Sequence, residues 1–235
     1  NNMIYPLSLP WHTGFFDQIV NLDGQIENTG FEFAINANLF ENDNFSWSTA
    51  FNMSFNDNIV KNIPETAIIT DGWLQNLGGN VTITKNDLPI GSFWGKISEG
   101  VDPQTGDLIF ADNGKFQLMG SPLPDFTYGF VNEINYKNWD LNIVIDGVSG
   151  NEVYNTGKQE LEEMRLLHNQ SAAIVNRWRK PGDITNIPRA TILDQNGNSK
   201  ISSRFVEDGS YLRIRDISLS YDFEENVIKG LKNRK

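Results

Sequence analysis

Between Gln25 and Asn56 apolar and polar residues alternate almost without error. In the first run Phe31, Phe33, Ile35, Ala37 and Leu39 fall on one side and Glu32, Ala34, Asn36 and Asn38 on the other. In the second, Phe45, Trp47, Thr49, Phe51, Met53 and Phe55 oppose Ser46, Ser48, Ala50, Asn52, Ser54 and Asn56. Side chains alternate with period two along a strand, so each run is a predicted strand with one greasy and one wet face. Each lasts about a dozen residues, whereas strands of soluble domains mostly stop near five or six. At roughly 3.3 Å per residue and a tilt of about 40°, such a strand rises roughly 30 Å, enough to cross an outer-membrane apolar band of about 25 Å. The joining turn is predicted at Glu41 to Asp43, with Asn42 or Asp43 left-handed. That odd loop sets Leu39 opposite Phe45, Phe33 against Phe51 and Ala37 against Trp47.

The pattern returns later in the chain. Phe126, Tyr128, Phe130, Ile134 and Tyr136 share a side on which only Asn132 is polar. A two-residue turn, Lys137 and Asn138, leads to Trp139, Leu141, Ile143 and Ile145. Placing Tyr136 opposite Trp139 aligns Ile134 with Leu141 and Phe130 with Ile145, so the two greasy faces coincide without adjustment. Ser210 to Phe223 is a fifth long strand whose apolar parity slips between Ile214 and Ile217, marking either a bulge or the point where the strand enters the membrane. Strand directions then put both tight turns on one side and both long excursions on the other, the habit of outer-membrane barrels. Phe40, Phe45, Trp47, Tyr136 and Trp139 would form an aromatic girdle near the turns.

Residues 58–124 and 147–209 are the excursions, expected outside the cell. The first holds short β-like pieces at Ala67 to Thr70 and Val81 to Thr84, a short strand within Ile90 to Ile97, and a small hairpin in Val101 to Gly120 marked by DPQTGD and ADNG. The second holds a predicted helix over 157–179, with Leu161, Met164, Leu167 and Ile174 near helical spacing, stopped by Pro181 and Gly182. Asn1 to Leu9 reads as a strand end followed by a loop broken by Pro6, Pro10 and Gly14. A short helix is predicted over Glu224 to Leu231.

Composition narrows the class. Nineteen Lys plus Arg against 30 Asp plus Glu give a formal charge of −11, which argues against a nucleic-acid partner. Cysteine is absent, so disulfides and thiolate metal sites do not arise. No run of eighteen apolar residues exists, so no helix is expected to span a membrane, whereas barrel strands need only alternate. The fold class expected is all-β: about five or six long antiparallel transmembrane strands of a larger barrel, with long extracellular loops, one containing a helix.

Several stretches resemble the SusC/RagA-like TonB-dependent outer-membrane transporters. They are NLDGQIENTGFEFAI (Asn21 to Ile35), FSWSTAFNMSFNDNIV (Phe45 to Val60), LPIGSFWGKISEGVDPQTGDLIFAD (Leu88 to Asp112), GSPLPDFTYGF (Gly120 to Phe130), NYKNWDL (Asn135 to Leu141), RWRKPGDITNIPR (Arg177 to Arg189) and EDGSYLRIRDISLSY (Glu207 to Tyr221). The resemblance implies the later part of a large outer-membrane barrel that imports oligosaccharides or peptides. It further implies a SusD-like lipoprotein lid and a TonB complex acting through a plug. The family's plug, TonB box and final strands are expected outside these 235 residues.

Candidate chemistry is sparse. Asp102, Asp107 and Asp112, with Asn113, offer oxygen ligands at short spacing for calcium, although the spacing departs from a twelve-residue calcium loop and acidic turns are commonly just solvated. Trp73, Trp94 and Trp178 fall in outer segments, where indoles either stack on sugars, meet a lid protein or pack within a folded loop. His12 and His168 carry no metal-ligand motif. Glu160, Glu162 and Glu163 read as a solvated helix face, and Arg213 with Arg215 as lumen-lining or ion-paired. The rival to a transporter is a soluble β-sandwich carbohydrate-binding module, whose strands would be twice the usual length. A glycan-degrading enzyme would need two converging carboxylates, and no acidic pair stands out.

Overall fold

The computed structural model describes residues 3–22, 24–64, 69–74 and 79–223. The chain divides into two compact units: residues 1–28, 57–123 and 151–208 form one, and residues 29–56, 124–150 and 209–235 the other. The predicted helix over Glu224 to Leu231 and part of the Ala67 to Thr70 piece lie outside the described residues.

The chain opens with β1 (Met3–Ser8) and β2 (Asp17–Leu22), an antiparallel pair that sets Pro6 opposite Ile19. The strand end read over Asn1 to Leu9 is β1, and Pro10 and Gly14 fall in the connection to β2 as expected. The long hairpin follows as β3 (Gln25–Asn42) and β4 (Phe45–Lys61), each longer than its alternating core. Its turn is tighter than predicted. The strands end at Asn42 and Phe45, and neither Asn42 nor Asp43 is among the left-handed residues. Instead the Asn42 side-chain Oδ1 accepts from the backbone N–H groups of Asn44 and Phe45, both at 2.9 Å, so a side chain rather than a strained backbone closes the turn.

β5 (Ile69–Leu74), β6 (Gly79–Thr84), β7 (Ser92–Lys96), β8 (Ser98–Val101), β9 (Leu108–Phe110) and β10 (Phe116–Gly120) fill the first excursion. β10, β7, β6 and β5 make a four-stranded sheet, and β8 with β9 is the small hairpin expected around DPQTGD. The second predicted hairpin is β11 (Phe126–Tyr136) and β12 (Trp139–Ser149). It pairs Tyr136 with Trp139, Ile134 with Leu141 and Phe130 with Ile145, the predicted register, with Lys137 left-handed in the turn. β13 (Glu152–Tyr154) and β14 (Val206–Asp208) pair at the base of the second excursion. β15 (Tyr211–Tyr221) pairs with β12 and bulges at Arg215, since Val144 faces Asp216 while Ile145 faces Ile214. That bulge is the parity slip read from the sequence.

The helix prediction needs correction. α1 covers only Thr156–Glu162, capped by Asn155, whose side chain accepts from the Lys158 N–H. Met164 is left-handed, with φ of 50°, which stops the helix long before Arg179. A 3₁₀ turn at Ala172–Asn176 follows, capped by Ser171. Of the expected apolar stripe only Met164 is buried; Leu167 is fully exposed. The buried side of α1 is instead polar, through Gln159 and Glu162. The apolar spacing therefore reported no helical face.

The excursions share one core. Val81, Phe93 and Met119 from the first pack with Tyr154, Ile201 and Phe205 from the second. A parallel bridge joins Lys96 to Ser202, and the Ser98 N–H donates to Ser203 Oγ at 2.9 Å. Tyr154 donates to Gln159 Oε1, whose amide donates to the Ser199 carbonyl, so the Tyr154 hydroxyl and the Gln159 amide are both paired. Burial pushes the Tyr154 hydroxyl pKa upward. No helix among the described residues is long and apolar enough to cross a membrane.

Candidate functional site

The five-stranded sheet runs β15-β12-β11-β4-β3, and its two sides differ in chemistry. On the apolar side large residues remain uncovered: Ile217 is 60% exposed, Leu219 63% and Leu212 66%. Phe33, Phe51 and Phe130 run across it edge to face, with centroids 6.5 Å apart at each step. The rings of Phe33 and Phe51, predicted to face each other, are in edge-to-face contact. Asn132, the one polar intruder in its run, is buried and accepts from the Trp47 indole N–H at 3.1 Å. Thr49 likewise donates to the Val131 carbonyl. Polar atoms on this side are thus bonded internally, as a surface without water demands.

Aromatic residues close the apolar band at both ends. At the turn end the register aligns Phe45, Tyr136, Trp139 and Tyr221 in one row, with Phe40 6.2 Å from Phe45 and Trp139 4.7 Å from Tyr221. At the other end Phe55, Phe126 and Tyr128 pack together at 5.6 and 6.0 Å. Trp47 is not in the turn-end row: it sits opposite Ile134 and is spent on Asn132. From Tyr136 to Phe126, at roughly 3.3 Å per residue and a tilt of about 40°, the band is about 25 Å high.

The opposite side is polar. Ser46, Asn135 and Asp140 form one cross-strand row, and Ser48, Glu133 and Asn142 the next. Asn135 donates to Ser46 Oγ at 2.9 Å, and Ser48 donates weakly to Glu133 at 3.4 Å. Arg213 bonds Asp146 across the strands at 2.8 and 3.4 Å, settling its expected role as ion pairing.

The loop candidates separate on inspection of their partners. Asp102 Oδ1 and Oδ2 accept from the Gln104 N–H and the Thr105 hydroxyl, which hold its carboxyl below the usual value. Partial burial raises the Asp107 pKa, but hydrogen bonds from Arg189 at 2.7 and 3.0 Å and from Asn198 at 2.9 Å outweigh it and lower it. Asp112 is exposed in a left-handed turn. The three carboxylates therefore do not converge, and no group of three metal-ligating side chains occurs among the described residues. Asp102 is committed within its own turn, and Asp107 to Arg189 and Asn198 of the second excursion.

Trp178 donates from its indole to the Pro103 carbonyl at 2.9 Å, and a Cβ at Gly106 would overlap its ring. It is a packing residue that locks the DPQTGD hairpin to the RWRKPGD stretch. Trp94 is half-buried with Lys85 Nζ 5.3 Å from its ring. Trp73 lies in β5 opposite Asn80, and its side chain is outside the described residues. Two of the three glutamates were misread: Glu160 is exposed as expected, but Glu162 and Glu163 are buried, and Glu162 pairs with the largely buried side chain of Arg204. Glu163 lies 3.5 Å from His168 and 3.6 Å from Arg165. His12 is exposed in a 3₁₀ turn. Nothing local in the sequence signals the Glu162–Arg204 pair, whose partners stand far apart in the chain.

Comparison with known proteins places the whole chain. TonB-dependent receptor P3 of Formosa agariphila is 32% identical over 97% of the chain, which covers 24% of that receptor. TonB-dependent receptor SusC of Bacteroides thetaiotaomicron is 22% identical over 100% of the chain and is covered to 24%. The RagAB peptide importer in its closed-closed state superposes with a TM-score of 0.75 at 21% identity, over 97% of this chain and 26% of that one. No protein-family model matches. The chain spans about a quarter of the length of the curated relatives it matches.

Proposed function

The chain belongs to the SusC/RagA-like TonB-dependent receptors of the Gram-negative outer membrane, and from that premise we propose that it forms barrel wall and external loops of a nutrient importer. The observation that carries this is the sheet with a bare apolar side about 25 Å high between two aromatic rows. Such a side meets acyl chains, while the Ser, Asn and carboxylate side faces a wet lumen. Excursions 58–124 and 147–209 then lie outside the cell.

Cargo is an oligosaccharide or peptide, a SusD-like lipoprotein covers the barrel from outside, and the TonB complex drives release. The polypeptide moves its cargo without chemical change. Support for this reading comes from relatives that are receptors and from a structural neighbour described as a peptide importer. The sandwich alternative needs a second sheet over the apolar side, where Ile217 and Leu219 instead stand exposed.

The test follows the natural polypeptide containing this sequence. Antibody to the Asp183 to Asn198 loop should label intact cells, and the labelled species should fractionate with the outer membrane and migrate heat-modifiably. Deleting its gene should abolish growth on one bulky nutrient. A soluble, monomeric 26.6 kDa species would overturn the proposal.

A further inference from the structure

In a chain of net charge −11, most salt-bridging cations already have their carboxylate: Arg189 has Asp107, Arg204 has Glu162 and Arg213 has Asp146. The RWRKPGD stretch departs from that habit. Among the described residues Arg177, Arg179 and Lys180 have no carboxylate bonded to their side chains. The guanidinium of Arg177 donates only to the Ile174 carbonyl, at 3.3 Å, and that of Arg179 only to the Val175 carbonyl, at 2.8 Å. Most of their donors remain free.

These cations flank a polar concavity of about 490 Å³ lined by Asn176, Arg177, Asp183, Ile184, Thr185 and Asn186. Its one acid is already engaged. Asp183 Oδ2 accepts from the backbone N–H groups of Arg179 and Lys180 at 3.0 and 3.1 Å, folding the loop back on itself. Thr185 donates to the Asn176 carbonyl at 2.6 Å, the Gly182 N–H donates to the Pro103 carbonyl, and the Trp178 N–H to the Ile187 carbonyl. Thr185 Oγ1 also accepts from the Ile187 N–H at 3.2 Å, so its hydroxyl keeps one lone pair for a ligand while it braces the loop. Among the described residues the side-chain amides of Asn176 and Asn186 make no hydrogen bond, and both residues are exposed.

Free guanidinium donors beside two free amides and a hydroxyl make a receptor for an oxyanion flanked by hydroxyl groups. We propose that this loop concavity binds a carboxylate- or sulfate-bearing oligosaccharide: Arg177 takes the anion, Asn176, Thr185 and Asn186 bond the ring hydroxyls, and Arg179 and Lys180 draw the ligand in. A glycan is favoured over a peptide because the lining is almost wholly hydrogen-bonding, with only Ile184 apolar. The assignment rests on the importer reading and narrows its cargo to acidic glycans.

The experiment measures binding to the purified full-length receptor of a galacturonate oligosaccharide, its neutral reduced counterpart, a sulfated oligosaccharide of equal length and an acidic peptide. Arg177→Gln should weaken the acidic glycans about tenfold and leave the neutral sugar unchanged. Arg179→Gln with Lys180→Gln, which spares the backbone bonds to Asp183, should slow association and flatten its salt dependence. Preference between the carboxylated and the sulfated sugar identifies the source of the oxyanion. Equal binding of acidic and neutral sugars, tighter binding of the peptide, or no effect of Arg177→Gln overturns the proposal. Binding without uptake by cells would sink the importer reading and leave the anion site standing.

Discussion

The two units of this chain solve opposite problems. In the loop unit Phe205 and Val60 are fully buried, and apolar side chains from both excursions close on one another. Among the described residues of the sheet unit no apolar side chain is buried; Asn132 is, bonded to Trp47. The first unit hides apolar surface from water, which is how a fold gains stability in water. The second shows it, and can do so stably only where the solvent is itself apolar. One composition, modest in hydropathy, thus yields two folds separated by where Phe, Ile and Leu point.

That contrast is most directly broken at Phe205. Phe205→Ala should cost about 3–5 kcal/mol in the loop unit, because its ring fills a closed core against Tyr154. Leu219→Ala, at an exposed site of the sheet, should cost about 0.5 kcal/mol or less. On intact cells, external protease should cut the Phe205→Ala loops at a lower temperature while the heat-modifiable band is unchanged. Equal loss of both signals would mean that the units are not separate folds.

The reverse substitution sharpens the sheet side. Ile143 lies midway along β12 on the apolar side, between Asn132 and Ile217. Ile143→Arg should destabilise the membrane-inserted barrel by about 2–4 kcal/mol, the cost of a guanidinium near the midplane. Asn142→Arg, one residue away on the polar side, should be tolerated. Urea titration of the receptor refolded into lipid vesicles measures both, and similar losses for the two would remove the assignment of sides.

How much of this was readable beforehand follows from the same contrast. Period-two alternation is local, so the register of Tyr136 on Trp139 and the bulge at Arg215 could be read from neighbours alone. The Asn42 turn was missed by one residue because side-chain capping competes with the left-handed backbone that Asn also favours. The loop core had no such period. Its bridge from Lys96 to Ser202 and its hydrogen bond from Ser98 to Ser203 join residues about a hundred positions apart. The overlong helix arose there too: α1 stops at Glu162, but Leu161, Leu167 and Ile174 happened to fall at helical spacing while the buried side carried Gln159 and Glu162. Of the candidate residues, Trp178 and Asp107 proved to hold loops together, and the basic concavity beside Trp178 was visible only once Arg177 was seen without a carboxylate.

The smallest expected effect tests whether the loop unit is also held by charge. Asp107 receives two bonds from Arg189 and one from Asn198, which joins the DPQTGD hairpin to the chain around Asn198. Its pKa is lowered from the model-peptide value of 3.8, so the folded state favours the carboxylate. The stabilisation is therefore complete above that value and disappears as pH falls through the lower folded value. Both partners are partly exposed, so the contribution is about 1 kcal/mol or less. Asp107→Asn should speed amide hydrogen exchange in residues 102–108 and 187–199 at neutral pH, and the gap from wild type should close in acid. Closure is expected because the protonated wild-type carboxyl offers Arg189 no more charge than the amide does. A gap that persists once the wild-type carboxyl is protonated would show that shape, and not charge, makes this joint.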